Sequence, residues 1–318
     1  MSAVLAIGTA KGAFVLAETP DEWKLIGQGL TGLHVNCLQP TTDAQLWAGT
    51  AANGLSYTAN LEDWHPVVND LSGRGIYSMV FHPKQPKVIL CGTAPASLFL
   101  SLDRGKDFQE LPALRKHPSS DKWSYPEAPY RSRLHRLYLH PHDLDVVYAA
   151  VLSGGFYLSG DVGQTWQERS KGLGRVVTDL QGHALLPGRL YACSPIGFYV
   201  TENLGEEWIE RNHGLAYLNT GVLAVHPEEP NVVFLSSHNS VEGGGTVYRS
   251  SNAGQRWEAC EGLPFAANLR YTAMAITHDR FMVATNHGDI FLSRDLGSTW
   301  GKVRTALPPV TCLKLITT

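Results

Sequence analysis

The sequence has no run of more than two basic residues, no closely spaced cysteine pair and no apolar stretch longer than a β-strand. Each absence excludes a class. A formal net charge of −3 without a basic cluster leaves no electrostatic footprint for nucleic acid. Strand-sized apolar runs leave no transmembrane helix, so no membrane partner is expected. The N-terminus, MSAVLAIGTAKGAF, lacks a basic leader and holds only five consecutive apolar residues. It reads as a strand and not as a secretion signal, and a cytoplasmic location is the expectation. The five cysteines (Cys37, Cys91, Cys193, Cys260 and Cys312) are odd in number and widely spaced. That pattern gives neither a disulfide framework nor a C-x-x-C metal site, and reads as buried free thiols in a reducing compartment. No metal or cofactor is expected.

What the sequence does contain is a repeat. SGDVGQTW begins at Ser159, and related stretches begin at Ser101 (SLDRGKDF), Thr201 (TENLGEEW), Ser250 (SSNAGQRW) and Ser293 (SRDLGSTW). The pattern is [S/T]-x-[D/N]-x-G-x-x-[W/F]. TANLEDW at Thr58 and ETPDEW ending at Trp23 are weaker copies. The terminal aromatics are Trp23, Trp64, Phe108, Trp166, Trp208, Trp257 and Trp300, separated by 41, 44, 58, 42, 49 and 43 residues. A period in this range is the mark of four-stranded propeller blades.

One unit is legible from Gly75 to Glu110. GIYSMVFHP, KVILCGT, SLFLSLDRG and KDFQEL are four strand-like runs punctuated by Pro and Gly. The last is the most polar, as an outer, half-solvated strand should be. The chain begins with a second strand, AVLAIGT, and ends with an unpaired first strand, Val310–Thr317. The fold expected is therefore all-β: a seven-bladed β-propeller of four-stranded antiparallel blades, closed by the C-terminal strand completing the N-terminal blade. One domain over 1–318 is expected, a monomer, with an insertion at 116–131 between blades three and four. Within the repeated turn, the Asp or Asn accepts turn N–H groups, the glycine supplies a positive φ, and the aromatic packs between blades. Seven copies argue for scaffold. His82, His140, His226 and His278 recur at one repeat position and read as scaffold too.

These turns are those of the BNR or Asp-box repeat. The sequence resembles Asp-box propellers, among them sialidases, xyloglucanases, sortilin-type receptors and a photosystem II assembly factor. Most of all it is similar to the single-domain bacterial WD40/YVTN/BNR-like proteins with a sialidase-like fold, often labelled glycosyl hydrolase-like. KWSYPEAPY and RSRLHRL match segments that precede the fourth repeat in that group. The resemblance implies a propeller but not an activity. The R-I-P segment and arginine triad of sialidases are missing: only Arg133 falls at an inward position, and sialidases have six blades where seven are counted here.

A site is expected where the first strands converge. Counting back from the proline that follows each first strand, one inward position holds His34, Tyr77, His135, Gln181, Gly221 and Ala273. The next holds Gly32, Gly75, Arg133, Asp179, Asn219 and Tyr271. Shared parity puts them on one side of the strand. The opposite parity is mainly apolar, with Arg136 the exception. Two irregular loops frame the same mouth: Lys116–Arg131, carrying Trp123, Tyr125 and Tyr130, and Ser236–Gly245, carrying His238 and Glu242. The expected ligand-binding set is His34, Tyr77, Trp123, Arg133, His135, Asp179, Gln181, Asn219, His238 and Tyr271. Two functions fit. One is a binding module holding a small polar or anionic ligand, or a protein partner, with Arg133 and Lys11 as cations. The other is a hydrolase or lyase using Asp179, His135 and Arg133. A paired-acid glycosidase would need a second carboxylate about 5–10 Å from the first, from Glu127, Glu242 or Asp289. A metal set of His34, His135 and either His183 or Asp179 has suitable donors but no motif.

Overall fold

Short runs rich in Val, Ile, Leu and aromatics, stopped by Pro or Gly, become strands because their side chains fill a pleated, buried surface. In blade three these are Gly75–Phe81, Ile89–Ala94, Leu98–Ser101 and Gln109–Leu111. They pair antiparallel in sequence order. The computed structural model describes residues 3–124, 132–239 and 243–317. It holds seven four-stranded antiparallel sheets, the blades of a β-propeller.

Blade one is closed as the sequence predicts. Val310–Thr317 is its innermost strand and pairs with Ala3–Thr9, from Ala3 opposite Thr317 to Thr9 opposite Val310. This removes the open edges that the first and last strands would otherwise present. At the rim of the same junction, Arg280 Nη2 meets Glu18 Oε2 at 2.8 Å, joining blade seven to blade one.

The core is divided among the blade interfaces. Seven apolar clusters fill the seven interfaces. Each takes one of the repeated aromatics, from Trp23 between blades seven and one to Trp300 between six and seven. Trp208 and Trp257 are almost fully buried, at 3% and 2% exposure. They meet Phe156 and Phe198 edge-on, with ring centroids 5.2 and 4.9 Å apart. Their indole N–H groups donate to Arg169 O and Arg211 O across the interface.

The turn that opened the repeat works as scaffold. Asp161 Oδ1 accepts from Ser159 Oγ at 2.7 Å and Thr165 N at 2.8 Å, and Ser159 Oγ accepts from Gly163 N at 2.7 Å. The same bonds recur around Asp295 and Asn203. They hold two successive left-handed residues, Val162 at φ 58° and Gly163 at φ 90°. The first is costly for a β-branched residue. The second must be glycine for space as well, since a Cβ there would lie 2.5 Å from Leu98 Cδ2 of the neighbouring blade.

Candidate functional site

The innermost strands start at one end of the channel, and six of the seven begin with a β-bulge. Asn36, Tyr77, His135 and Thr272 each sit unpaired between ladder partners, as do Thr311 and the pair Gly221–Val222. A bulge inserts one residue, so side chains of equal parity on either side of it face opposite ways. This reassigns the channel wall. Below the bulges it is built by Cys37, Ser78, Arg136, Asp179, Ala273 and Cys312, and one pleat further by Gln39, Tyr138, Gln181 and Lys314. The cavity they enclose measures about 450 Å³, within the range of small-molecule sites.

Around the bulges, side chains tie each innermost strand to the next. Asn36 Nδ2 donates to Ile76 O, Ser78 Oγ to Leu134 O, and Thr272 Oγ1 to Val310 O at 2.6 Å. From blade four to blade six the tie is ionic. Arg136 Nε donates to Asp179 Oδ1 at 2.7 Å, which also accepts from Leu180 N at 2.9 Å, while Asp179 Oδ2 accepts from Leu223 N at 3.0 Å. The carboxylate is 7% exposed and held by three donors. It clamps three blades. Gln181 repeats the gesture one pleat further, donating to Leu223 O at 2.7 Å.

Among the described residues the cavity wall thus contains two cations and one carboxylate, and the carboxylate is bound by Arg136. The Lys314 side chain makes no hydrogen bond or ion pair among the described residues. Burial holds its amine below the usual lysine range, and the nearby Arg136 guanidinium adds to the effect. Burial pushes the neighbouring Cys37 thiol up to about 12 and the Cys312 thiol up to about 11, so both stay neutral. Among the described residues Asp179 is the acid that favours the Lys314 ammonium, without pairing with it directly. Counting from the following proline overlooks Lys314, since no proline follows that strand. The available signal is a lysine within the otherwise apolar run VTCLKLIT.

The other expected residues divide into groups. His34, Tyr77 and Arg133 meet at the mouth: the Arg133 guanidinium lies 4.6 Å from the Tyr77 ring centroid, and burial plus Arg133 lower the His34 pKa. The carbonyls of His34, Arg133 and Arg270 accept equivalent bonds from Ala51 N, Leu152 N and Asn286 N. Arg270 is therefore a further rim cation that proline-based counting missed. In blade one the turn between Ala3–Thr9 and Gly12–Glu18 carries Lys11, whose carbonyl accepts Gly32 N. Asn219 and His238 pair with each other at 3.0 Å on blade six.

Several residues do not join the cavity. Tyr271 precedes the bulge, so it turns into the blade six–seven core at 3% exposure and donates to Pro264 O. Trp123 packs on Tyr157 at 5.4 Å and donates to its hydroxyl at 2.9 Å. His135 is the bulge residue of blade four. Burial drives its pKa well down, helped by Arg136 and Arg133, so it stays neutral rather than titrating near neutrality. His183 lies at the far end of its strand and bonds His226 O, on the order of 10 Å from the level of His34 and His135. Among the described residues no group of three His, Cys, Asp or Glu is placed to hold a metal. Among the described residues Asp179 is the one acid of the cavity wall; Asp289 faces Lys302 instead. Tyr125, Glu127, Tyr130 and Glu242 lie outside the described residues. His82 and His140 accept backbone N–H groups of the following turns, at 2.9 Å each, as scaffold residues do.

No family model and no curated protein sequence matches the chain. Solved structures do. A GH74 xyloglucanase from Xanthomonas campestris is similar over 84% of this chain, with 15% identity and a TM-score of 0.65; the chain spans 45% of that protein. A YCF48 protein bound to D1 peptide has 18% identity and a TM-score of 0.60 over 84% of this chain and 80% of its own. The Cps50 (Swd1) propeller domain of Myceliophteria thermophila has 13% identity and a TM-score of 0.60, over 88% and 89%. At these identities the likeness shows the fold, a β-propeller that serves a glycoside hydrolase and also propellers of other kinds.

Proposed function

We propose that the protein is a binding module whose central channel holds a small organic anion. The observation that carries this reading is Lys314, a half-buried lysine on the channel wall with no directly paired acid among the described residues, in a cavity whose one described carboxylate is bound by Arg136. A charge taken out of bulk water is costly unless it is paired. Arg136 supports the same reading. Its Nε is held by Asp179 and its Nη1 by His135 O, which leaves Nη2 for a carboxylate or phosphate oxygen. Arg133 and Arg270 at the rim favour approach of an anion.

The reading is tested by titration calorimetry with small mono- and dicarboxylates and phosphate, on the wild type and on Lys314→Met. At least one anion should bind the wild type. The substitution should weaken it by about 1.5–3 kcal/mol, the value of a charge-assisted hydrogen bond, with the unfolding midpoint retained. A bound anion whose affinity Lys314→Met leaves unchanged would refute the assignment, as would a panel that fails to bind at all.

A further inference from the structure

We propose that Lys314 is an amine nucleophile that captures a carboxylic acid bearing an adjacent carbonyl, a 2-oxo acid, as a reversible imine while Arg136 holds the carboxylate. The inference rests on the anion-binding reading and goes one step further, from charge balance to covalent chemistry. It begins from placement. Lys314 sits on the closing strand, opposite Ala6 in register, and its side chain lines the same cavity as Arg136, Cys37, Cys312 and Asp179. These four are the titratable or charged groups that act on the amine. Asp179 is occupied by three donors, and both thiols are held neutral by burial. Among the described residues no base in the wall therefore takes the lysine as a fixed partner.

The electrostatics favour a nucleophile. Burial and the Arg136 guanidinium together raise the share of neutral amine near physiological pH. A desolvated lysine beside a second cation is a recognised way of activating an amine towards carbonyls. The ligand class follows from the pair of groups. Arg136 has Nη2 left to donate to one carboxylate oxygen, and Lys314 offers a lone pair for an electrophilic carbon next to it. In the step itself the amine nitrogen attacks the carbonyl carbon to give a carbinolamine. The carbonyl oxygen then leaves as water, taking both amine hydrogens. One C=O bond is exchanged for one C=N bond, and no oxidant or reductant is required.

The test uses the intact wild-type protein with pyruvate and glyoxylate as probes. Each is incubated with sodium cyanoborohydride, which reduces an imine to a stable secondary amine, and adducts are mapped by peptide mass spectrometry. Lys314 should be modified at least several-fold faster than the exposed Lys24, Lys106 and Lys171, because a carboxylate held by Arg136 presents the adjacent carbonyl to its amine. Lactate, which has the carboxylate but no carbonyl, should protect Lys314 without forming an adduct. Lys314→Met should abolish the preferential adduct, and the wild-type mapping stands even if that variant folds poorly. Calorimetric binding of pyruvate with no trapped adduct overturns the imine and leaves the anion site intact. Modification of Lys314 at the rate of the exposed lysines also overturns it. Neither binding nor adduct overturns both readings together.

Discussion

Asp179→Asn separates a structural carboxylate from a catalytic one. In the wild type Asp179 receives Arg136 Nε and Leu180 N on one oxygen and Leu223 N on the other. An asparagine side chain has the same shape but only one acceptor. Whichever way the amide turns, its NH2 faces a donor, either Leu223 N–H or the Arg136 guanidinium. Breaking a buried pair costs about 3–5 kcal/mol. Arg136 is 29% exposed, so channel water recovers part of that, and a loss of about 2–4 kcal/mol is expected. Urea unfolding should show a lower midpoint with an unchanged slope. Adding Arg136→Met to Asp179→Asn, which removes the guanidinium left without its carboxylate while keeping an acceptor for the backbone N–H groups, should recover part of that loss. An Asp179→Asn protein as stable as the wild type but unable to bind or turn over a ligand would refute the clamp and restore Asp179 as a working acid.

Truncation after Pro309 removes the strand that pairs with Ala3–Thr9 and should cost a large part of the roughly 5–15 kcal/mol available to a domain, seen as early melting and aggregation; an unchanged melting temperature would disprove the closure. Trp208→Ala empties the interface against Phe156 and should lower stability by about 3–5 kcal/mol while leaving the affinity of the folded fraction intact, which binding at a temperature below the transition will check. Acid should destabilise the fold through its histidines. His135 is held neutral in the folded state, with His34, His140 and His238 shifted the same way, whereas in the unfolded chain each takes a proton below about pH 6.5. The unfolded state then binds more protons, so stability falls as pH drops through that value, and His135→Gln should flatten the dependence.

The scaffold was legible in the sequence because it repeats. Aromatics at fixed offsets locate all seven blade interfaces, and AVLAIGT, a second strand without its first, pairs with VTCLKLIT, a first strand without its second. The channel was less legible because parity counting assumes an unbroken ladder. The bulges at Tyr77, His135 and Thr272 break it. Tyr271 and Ala273 share a parity, yet Tyr271 packs into the six–seven interface while Ala273 packs into the seven–one interface and borders the cavity. For the same reason Arg136, which stood out as a charge on an apolar side, proves to be on the channel wall. Trp123 misleads differently. A loop aromatic near a mouth suggests ligand contact, but its ring and N–H are both engaged by Tyr157.

The most direct test of the channel assignment is the protonation of Lys314 itself, followed by NMR of its labelled side chain across pH. Without ligand the amine should titrate below the exposed lysines, because burial and Arg136 both disfavour its charge. With a saturating small carboxylate its titration should move up, since an anion in the cavity stabilises the ammonium. A Lys314 that titrates with the exposed lysines, and does not respond to any anion, would contradict the account.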